Sequence, residues 1–279
     1  MNNTSAVRAT AAVNGAEIYY EMRGDGPPIL CISGGFGDGG AWQSVAELLS
    51  DTYTVISYDR RGHSRSPRPE GWTTTSLDEQ AADSAGLIES LGVGPCAIYA
   101  NSLGGAIGLT LLLRRPELVR LAILHDPVIA SLSPDPAQAN SSLRKVVAPF
   151  IDRGDLAGAA DTLLRVLNGE DGYAKLSPVQ LERMVGNAET LLGIDFRGLG
   201  TLTVDIVAPA VPLTIACGAE SADFLTAGAR RLAELLQKEL ITLPGAHVPQ
   251  LTHPTAVADL IRRTVGGVEH GAAFDSGVS

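Results

Sequence analysis

The chain has 279 residues, 45% of them apolar, a length that suits one large domain or two small ones with a sizeable core. Its formal charge of −10 argues against nucleic acid as a partner, because phosphate binding needs clustered Lys and Arg. The first residues lack a basic region followed by an apolar stretch, and no apolar run approaches membrane-spanning length; a soluble cytoplasmic protein with no membrane partner is expected.

Residues 16–22 predict an early strand that ends in a Gly-Asp-Gly-Pro-Pro turn. Short runs rich in Ile, Val and Leu follow at 28–33, 53–58, 96–100, 121–125, 212–217 and 239–243. Helical periodicity lies between most of them and is clearest over 76–91 and 225–237. Strands alternating with helices imply a mostly parallel sheet covered on both faces. The alternation fails between about 131 and 208, where helical stretches near 141–153, 155–168 and 178–192 occur without a convincing strand. An all-helical insertion at this place reads as a lid over the C-terminal edge of the sheet, where α/β sheets bind ligands. The expected organisation is therefore a core of 1–130, a helical lid of 131–208, the rest of the core at 209–265, and a disordered Gly- and Ala-containing tail at 266–279. Cys31, Cys96 and Cys217 fall in or beside the apolar runs, which reads as reduced core thiols and neither a disulfide framework nor a metal site.

Three of the connecting segments carry chemistry. Residues 32–42, Ile-Ser-Gly-Gly-Phe-Gly-Asp-Gly-Gly-Ala-Trp, form a glycine-rich loop after a buried strand. Such a loop lets the backbone approach a substrate and supplies an N–H to a developing oxyanion; Phe36, or Gly35 beside it, is the candidate donor. The loop lacks both the Gly-x-Gly-x-x-Gly spacing of a dinucleotide site and the Gly-Lys-Ser/Thr of a phosphate loop, so no cofactor is expected. After the next strand, Asp59-Arg60-Arg61-Gly62-His63-Ser64-Arg65-Ser66 reads as a turn tied by its own charges. Residues 96–106, Cys-Ala-Ile-Tyr-Ala-Asn-Ser-Leu-Gly-Gly-Ala, are an apolar strand that breaks at Ser102 into a helix start. Small residues two before (Ala100) and two after (Gly104) allow the strained turn that presents a nucleophilic hydroxyl, with the Leu103 N–H as second oxyanion donor. A serine before glycines could equally cap a helix.

The general base that this serine needs is found in Leu-Pro-Gly-Ala-His247-Val-Pro, directly after the last predicted strand; His253 is the weaker candidate. The acid has two possible places. Asp126, in Leu-His125-Asp126-Pro127, falls where a strand emerges at the active edge, and a carboxylate there would fix the histidine tautomer. Glu220 and Asp223 follow the 212–217 strand, where three residues past the glycine the chain holds Ser221. Asp126 is favoured, with Glu220 and Asp223 as the alternative acids.

Together the glycine-rich loop, Asp-Arg-Arg-Gly-His-Ser-Arg-Ser, Ala-Asn-Ser-Leu-Gly-Gly and Pro-Gly-Ala-His resemble the α/β-hydrolase family over about residues 16–265. The resemblance implies the α/β-hydrolase fold and a Ser102–His247–acid triad without cofactor. A narrower likeness is to hydrolases of the zearalenone lactonase type. Those carry the triad acid at the end of the strand after the nucleophile helix and the histidine in a Leu-Pro-Gly-x-His-x-Pro segment, as at Asp126 and Leu243 to Pro249. Their acid is typically Glu, where this chain has the shorter Asp. The expected reaction is hydrolysis of an ester or lactone of a small hydrophobic substrate, the lid being apolar. Acyl transfer, cyclisation, carbon–carbon bond cleavage, or a receptor on the same fold remain the alternatives. An epoxide hydrolase would carry Asp in place of Ser102. The sequence leaves the oligomeric state open.

Overall fold

A computed structural model describes residues 5–132, 145–198 and 206–275. Eight strands form one sheet: β1 (Val7–Val13), β2 (Ala16–Arg23), β3 (Pro28–Ile32), β4 (Thr54–Tyr58), β5 (Cys96–Asn101), β6 (Val119–His125), β7 (Leu213–Gly218) and β8 (Leu240–Leu243). Their spatial order is β1-β2-β4-β3-β5-β6-β7-β8. β2 pairs antiparallel with both β1 and β4, and every other pairing is parallel. The strand β1 goes beyond the sequence expectation, because the apolar residues of Val-Arg-Ala-Thr-Ala-Ala-Val are mostly alanines and form no bulky run. Its signal lay in the turn: Asn14 (φ 46°) and Gly15 (φ 74°) are the pair of left-handed residues that a two-residue hairpin demands.

The central strands are buried on both faces, which is why β5 and β6 read as continuous apolar runs. Helices α1 (Gln43–Leu49) and α9 (Pro254–Asp275) cover one face, packing Val45, Leu49, Val257 and Ile261 on Ile29, Cys31, Tyr99 and Ile123. On the other face, α2 (Leu77–Leu91), α3 (Leu103–Arg114) and α8 (Asp223–Leu235) pack Ala85, Ile88, Ile107, Leu111 and Leu232 on Leu30, Ile56, Ile98 and Leu124. All three cysteines are buried and unpaired. α9 continues through Gly266 and Gly267 to Asp275, where composition suggests an irregular tail. A helix already anchored by Ile261 and Val265 adds each further residue without a new nucleation step.

Between β6 and β7 the described residues are helical: α4 (145–151), α5 (Leu156–Ala174), α6 (Pro178–Gly186) and α7 (188–198). The start of the helix expected near 141–153 lies outside the described residues, as does 199–205 within the 131–208 insertion. α5 breaks at Gly169 (φ 65°), close to the expected end at 168, and resumes for one more turn. Leu191–Asp195 within α7 is a turn of π-helix. No helix among the described residues is long and apolar enough to cross a membrane.

Candidate active site

Ser102 joins β5 to α3 with φ 60° and ψ −125°, a conformation costly for a residue with a side chain. The surroundings hold it there. Its N–H donates to the His125 carbonyl (2.9 Å), and its own carbonyl accepts from Gly105 (2.9 Å) and Val128 (3.0 Å). A Cβ at Gly104 would lie 2.4 Å from the Ile32 carbonyl oxygen, so the residue two after Ser102 must be glycine. The residue two before is Ala100, and it fits because a Cβ at Gly108 would stand only 2.9 Å from its methyl. Ala100 is thus admitted by a glycine on the facing helix.

Asp126 and His247 come to Ser102 from neighbouring strand ends. Asp126 follows β6 with φ 44°, its N–H bound to the Ala216 carbonyl of β7 at 2.9 Å. His247 lies in the loop after β8, 3% exposed, and its Nδ1 is 3.2 Å from Asp126 Oδ2. That partner puts the proton on Nδ1 and leaves a lone pair on Nε2, which has no partner among the described residues. Ser221 Oγ donates to the same Asp126 oxygen at 2.5 Å. The residue that occupies the expected acid position after β7 therefore supports the carboxylate on β6. Burial opposes charge on Asp126, but His125 and His247 outweigh it and hold the carboxyl well below the usual range.

The alternative acids are elsewhere. Glu220 turns outward to Lys175 (3.5 Å), and Asp223 is exposed on the first turn of α8. His253 packs against Gly245 and bonds Thr252 Oγ1 (3.0 Å), away from Asp126. Asn101, read in the sequence only as part of the strand end, is a further contributor. Its Nδ2 donates to the His247 carbonyl at 2.9 Å and anchors the loop that carries the histidine.

The glycine-rich loop is fixed from behind. Arg60, fully buried, pairs with Asp195 of the π-turn (2.8 Å) and donates to the Gly35 carbonyl (3.2 Å) and to His63 Nε2 (2.8 Å). His63 in turn bonds the Arg61 carbonyl through Nδ1 (3.1 Å). Burial, with the Arg60 charge, lowers His63 to about 4, so it is neutral. The C=O and N–H of a trans peptide point opposite ways. Holding the Gly35 carbonyl toward Arg60 thus turns the Phe36 N–H away from it. Asn187 Nδ2 bonds the Phe36 carbonyl (3.0 Å), and Arg183 forms a two-pronged ion pair with Asp38. Of the turn's other charges, only Asp59 and Arg65 pair within it as read, Asp59 also accepting from Gly39 N, whereas Arg61 reaches outside it to Asp83 and Glu79 of α2. No local pattern around Asp195 marks it as the residue that completes the cluster.

These residues surround a cleft of about 1200 Å³, its open mouth included, with Ser102 and His247 on its wall. Leu163, Leu164 and Leu167 of α5, Met184 of α6, and Leu191 and Phe196 of α7 form its apolar side. Of the other apolar residues of the insertion, Val147 is core, while Ile151 and Val166 face solvent. No group of three or more metal-ligating side chains occurs among the described residues.

An eight-stranded sheet with a serine elbow, a histidine loop and a glycine-rich loop at one edge defines a class, and the comparisons agree. Residues 27–167 match the family described as alpha/beta hydrolase fold. The chain is 30% identical over 247 residues to the uncharacterized hydrolase YraK of Bacillus subtilis strain 168, covering 85% of this chain and 88% of that protein. The chain belongs to the α/β-hydrolase family. Among solved structures it is similar to a thermophilic esterase from Thermogutta terrifontis (TM-score 0.76, 23% identity, 94% of this chain and 99% of that one). It is equally similar in fold to the epoxide hydrolase CorEH (TM-score 0.75, 19% identity, 93% and 98%). One fold carries both reactions, so the site must select between them.

Proposed function

We propose that the protein is a serine hydrolase that cleaves a carboxylic ester or lactone of a small hydrophobic substrate through an acyl-enzyme. The observation that carries this reading is His247, bound to Asp126 through Nδ1 and unpartnered at Nε2, on the wall of the same cleft as Ser102. His247 Nε2 takes the proton of Ser102 Oγ as the oxygen attacks the carbonyl carbon. The N–H groups of Phe36 and Leu103 stabilise the tetrahedral oxyanion, roughly 3 kcal/mol for each donor. Collapse expels the alcohol, which leaves with the proton from His247. A water then gives a proton to His247 and attacks the acyl carbon; the acid departs and Ser102 recovers its hydrogen.

Opening an epoxide by attack of an enzyme carboxylate would need an acid where Ser102 stands, which disfavours that reaction here. The acid at the end of β6, with Ser221 after β7, supports the likeness to zearalenone lactonases in catalytic arrangement. The leucine-rich wall supports an apolar acyl or ring group, under α5–α7 acting as a lid. Hydrolysis of a panel of p-nitrophenyl esters and lactones tests the reading. Ser102→Ala is expected to abolish turnover with the melting temperature unchanged; a Ser102→Ala protein that still turns over would refute it.

A further inference from the structure

Two of the polar side chains that line the cleft hold acceptors whose orientation their hydrogen bonds determine. Asn101 must direct Nδ2 to the His247 carbonyl, since a carbonyl only accepts, so its Oδ1 receives the Gln250 amide (3.3 Å). Gln250 therefore turns Oε1 outward from that chain of bonds. Asn168, the last residue of α5 before its break, uses Nδ2 on the Leu164 carbonyl (2.9 Å), which leaves Oδ1 without a bond. Both side chains line the cleft, are 3% and 2% exposed, and have those oxygens unpartnered among the described residues. They belong to the same wall: Gln250 is three residues after His247, and Gly172, one turn beyond Asn168, brings α5 to within contact of Ala246.

We infer that the alcohol half of the substrate carries a hydrogen-bond donor, a hydroxyl or an amide N–H, received by Gln250 Oε1 and Asn168 Oδ1. The inference rests on the hydrolase reading above. The leaving alcohol takes its proton from His247, so it must lie on the histidine side of Ser102, where these oxygens are. Of the further unpartnered acceptors that the described residues place on the wall, His247 Nε2 is the proposed base, and Asp195 Oδ1 belongs to the Arg60 cluster behind the glycine-rich loop. A donor on the alcohol gives these two unpaired acceptors, set among Leu163, Leu164, Leu167, Val248 and Leu251, a bond that an alcohol without one cannot supply.

The test compares kcat/KM for 2-hydroxyethyl, 2-acetamidoethyl and 2-methoxyethyl butanoate, the last retaining the oxygen without its hydrogen. For slow esters the same ranking is read as protection of Ser102 from a fluorophosphonate. A preference of about tenfold or more for at least one donor ester over the methoxy ester is expected; the hydroxyl and amide arms identify which donor is read. Asn168→Leu should lower that ratio toward one, while Asn168→Asp, which keeps an acceptor, should retain it. A ratio near one in the wild-type protein, or one that Asn168→Leu leaves intact, overturns the inference alone. If no ester is cleaved and Ser102 does not react with the fluorophosphonate, the hydrolase reading falls and this inference falls with it.

Discussion

Replacing Asp126 by Asn tests the acid directly. The substitution keeps the volume of a fully buried side chain and the possible bond from Ser221, but it removes the charge that faces His247 Nδ1. An amide that donates to Nδ1 selects the tautomer with its proton on Nε2, and such a histidine cannot accept the Ser102 proton. A loss of about 10³- to 10⁴-fold in kcat is expected, which is ~4–5.5 kcal/mol of activation free energy at ~1.4 kcal/mol per decade. The assay is steady-state ester hydrolysis with the folded fraction checked by thermal unfolding. KM should change little, since Asp126 is absent from the cleft wall. A loss under tenfold in a folded protein would refute the assignment, as would an equal loss in Glu220→Gln.

Glu220→Gln and Asp223→Asn, both at exposed positions, are expected to keep kcat within about twofold, measured in the same assay. His63 gives a pH dependence. Its folded value of about 4 lies below the ordinary ~6.5, so on acidification the unfolded chain binds a proton first. Stability contributed by neutral His63 is present above pH ~6.5 and is lost down to pH ~4, ~3 kcal/mol in all; urea titrations of His63→Gln should show a correspondingly flatter profile. The groups that face its ring are Arg60, Asp195 and the Arg61 and Gly35 carbonyls. Asp195→Ala leaves the buried Arg60 guanidinium unpaired and should cost roughly 3–5 kcal/mol of unfolding free energy.

The parallel core was readable because each inner strand is buried on both faces and announces itself as an unbroken apolar run. β1 was not, since an alternating edge strand of Ala and Thr is held by its Asn14–Gly15 turn and its ladder to β2. At the site, Ser102 and His247 carry local signals, a small-residue turn and a post-strand loop. Asp126 was harder to single out because a carboxylate at either of two strand ends can face the histidine loop. At the β7 end it is Ser221, and neither Glu220 nor Asp223, that turns to the site, donating its hydroxyl to Asp126. Asp195 and Asn168 had no readable signal, because their partners, Arg60 and the cleft, lie far away in sequence and meet them only through the packing of α5 and α7.

The most direct measurement of the central claim is reaction with a fluorophosphonate probe, followed by intact mass and peptide mapping. One adduct is expected, on Ser102, and it should be lost in His247→Ala. A folded protein that remains unlabelled, or is labelled on another residue, would contradict an activated Ser102.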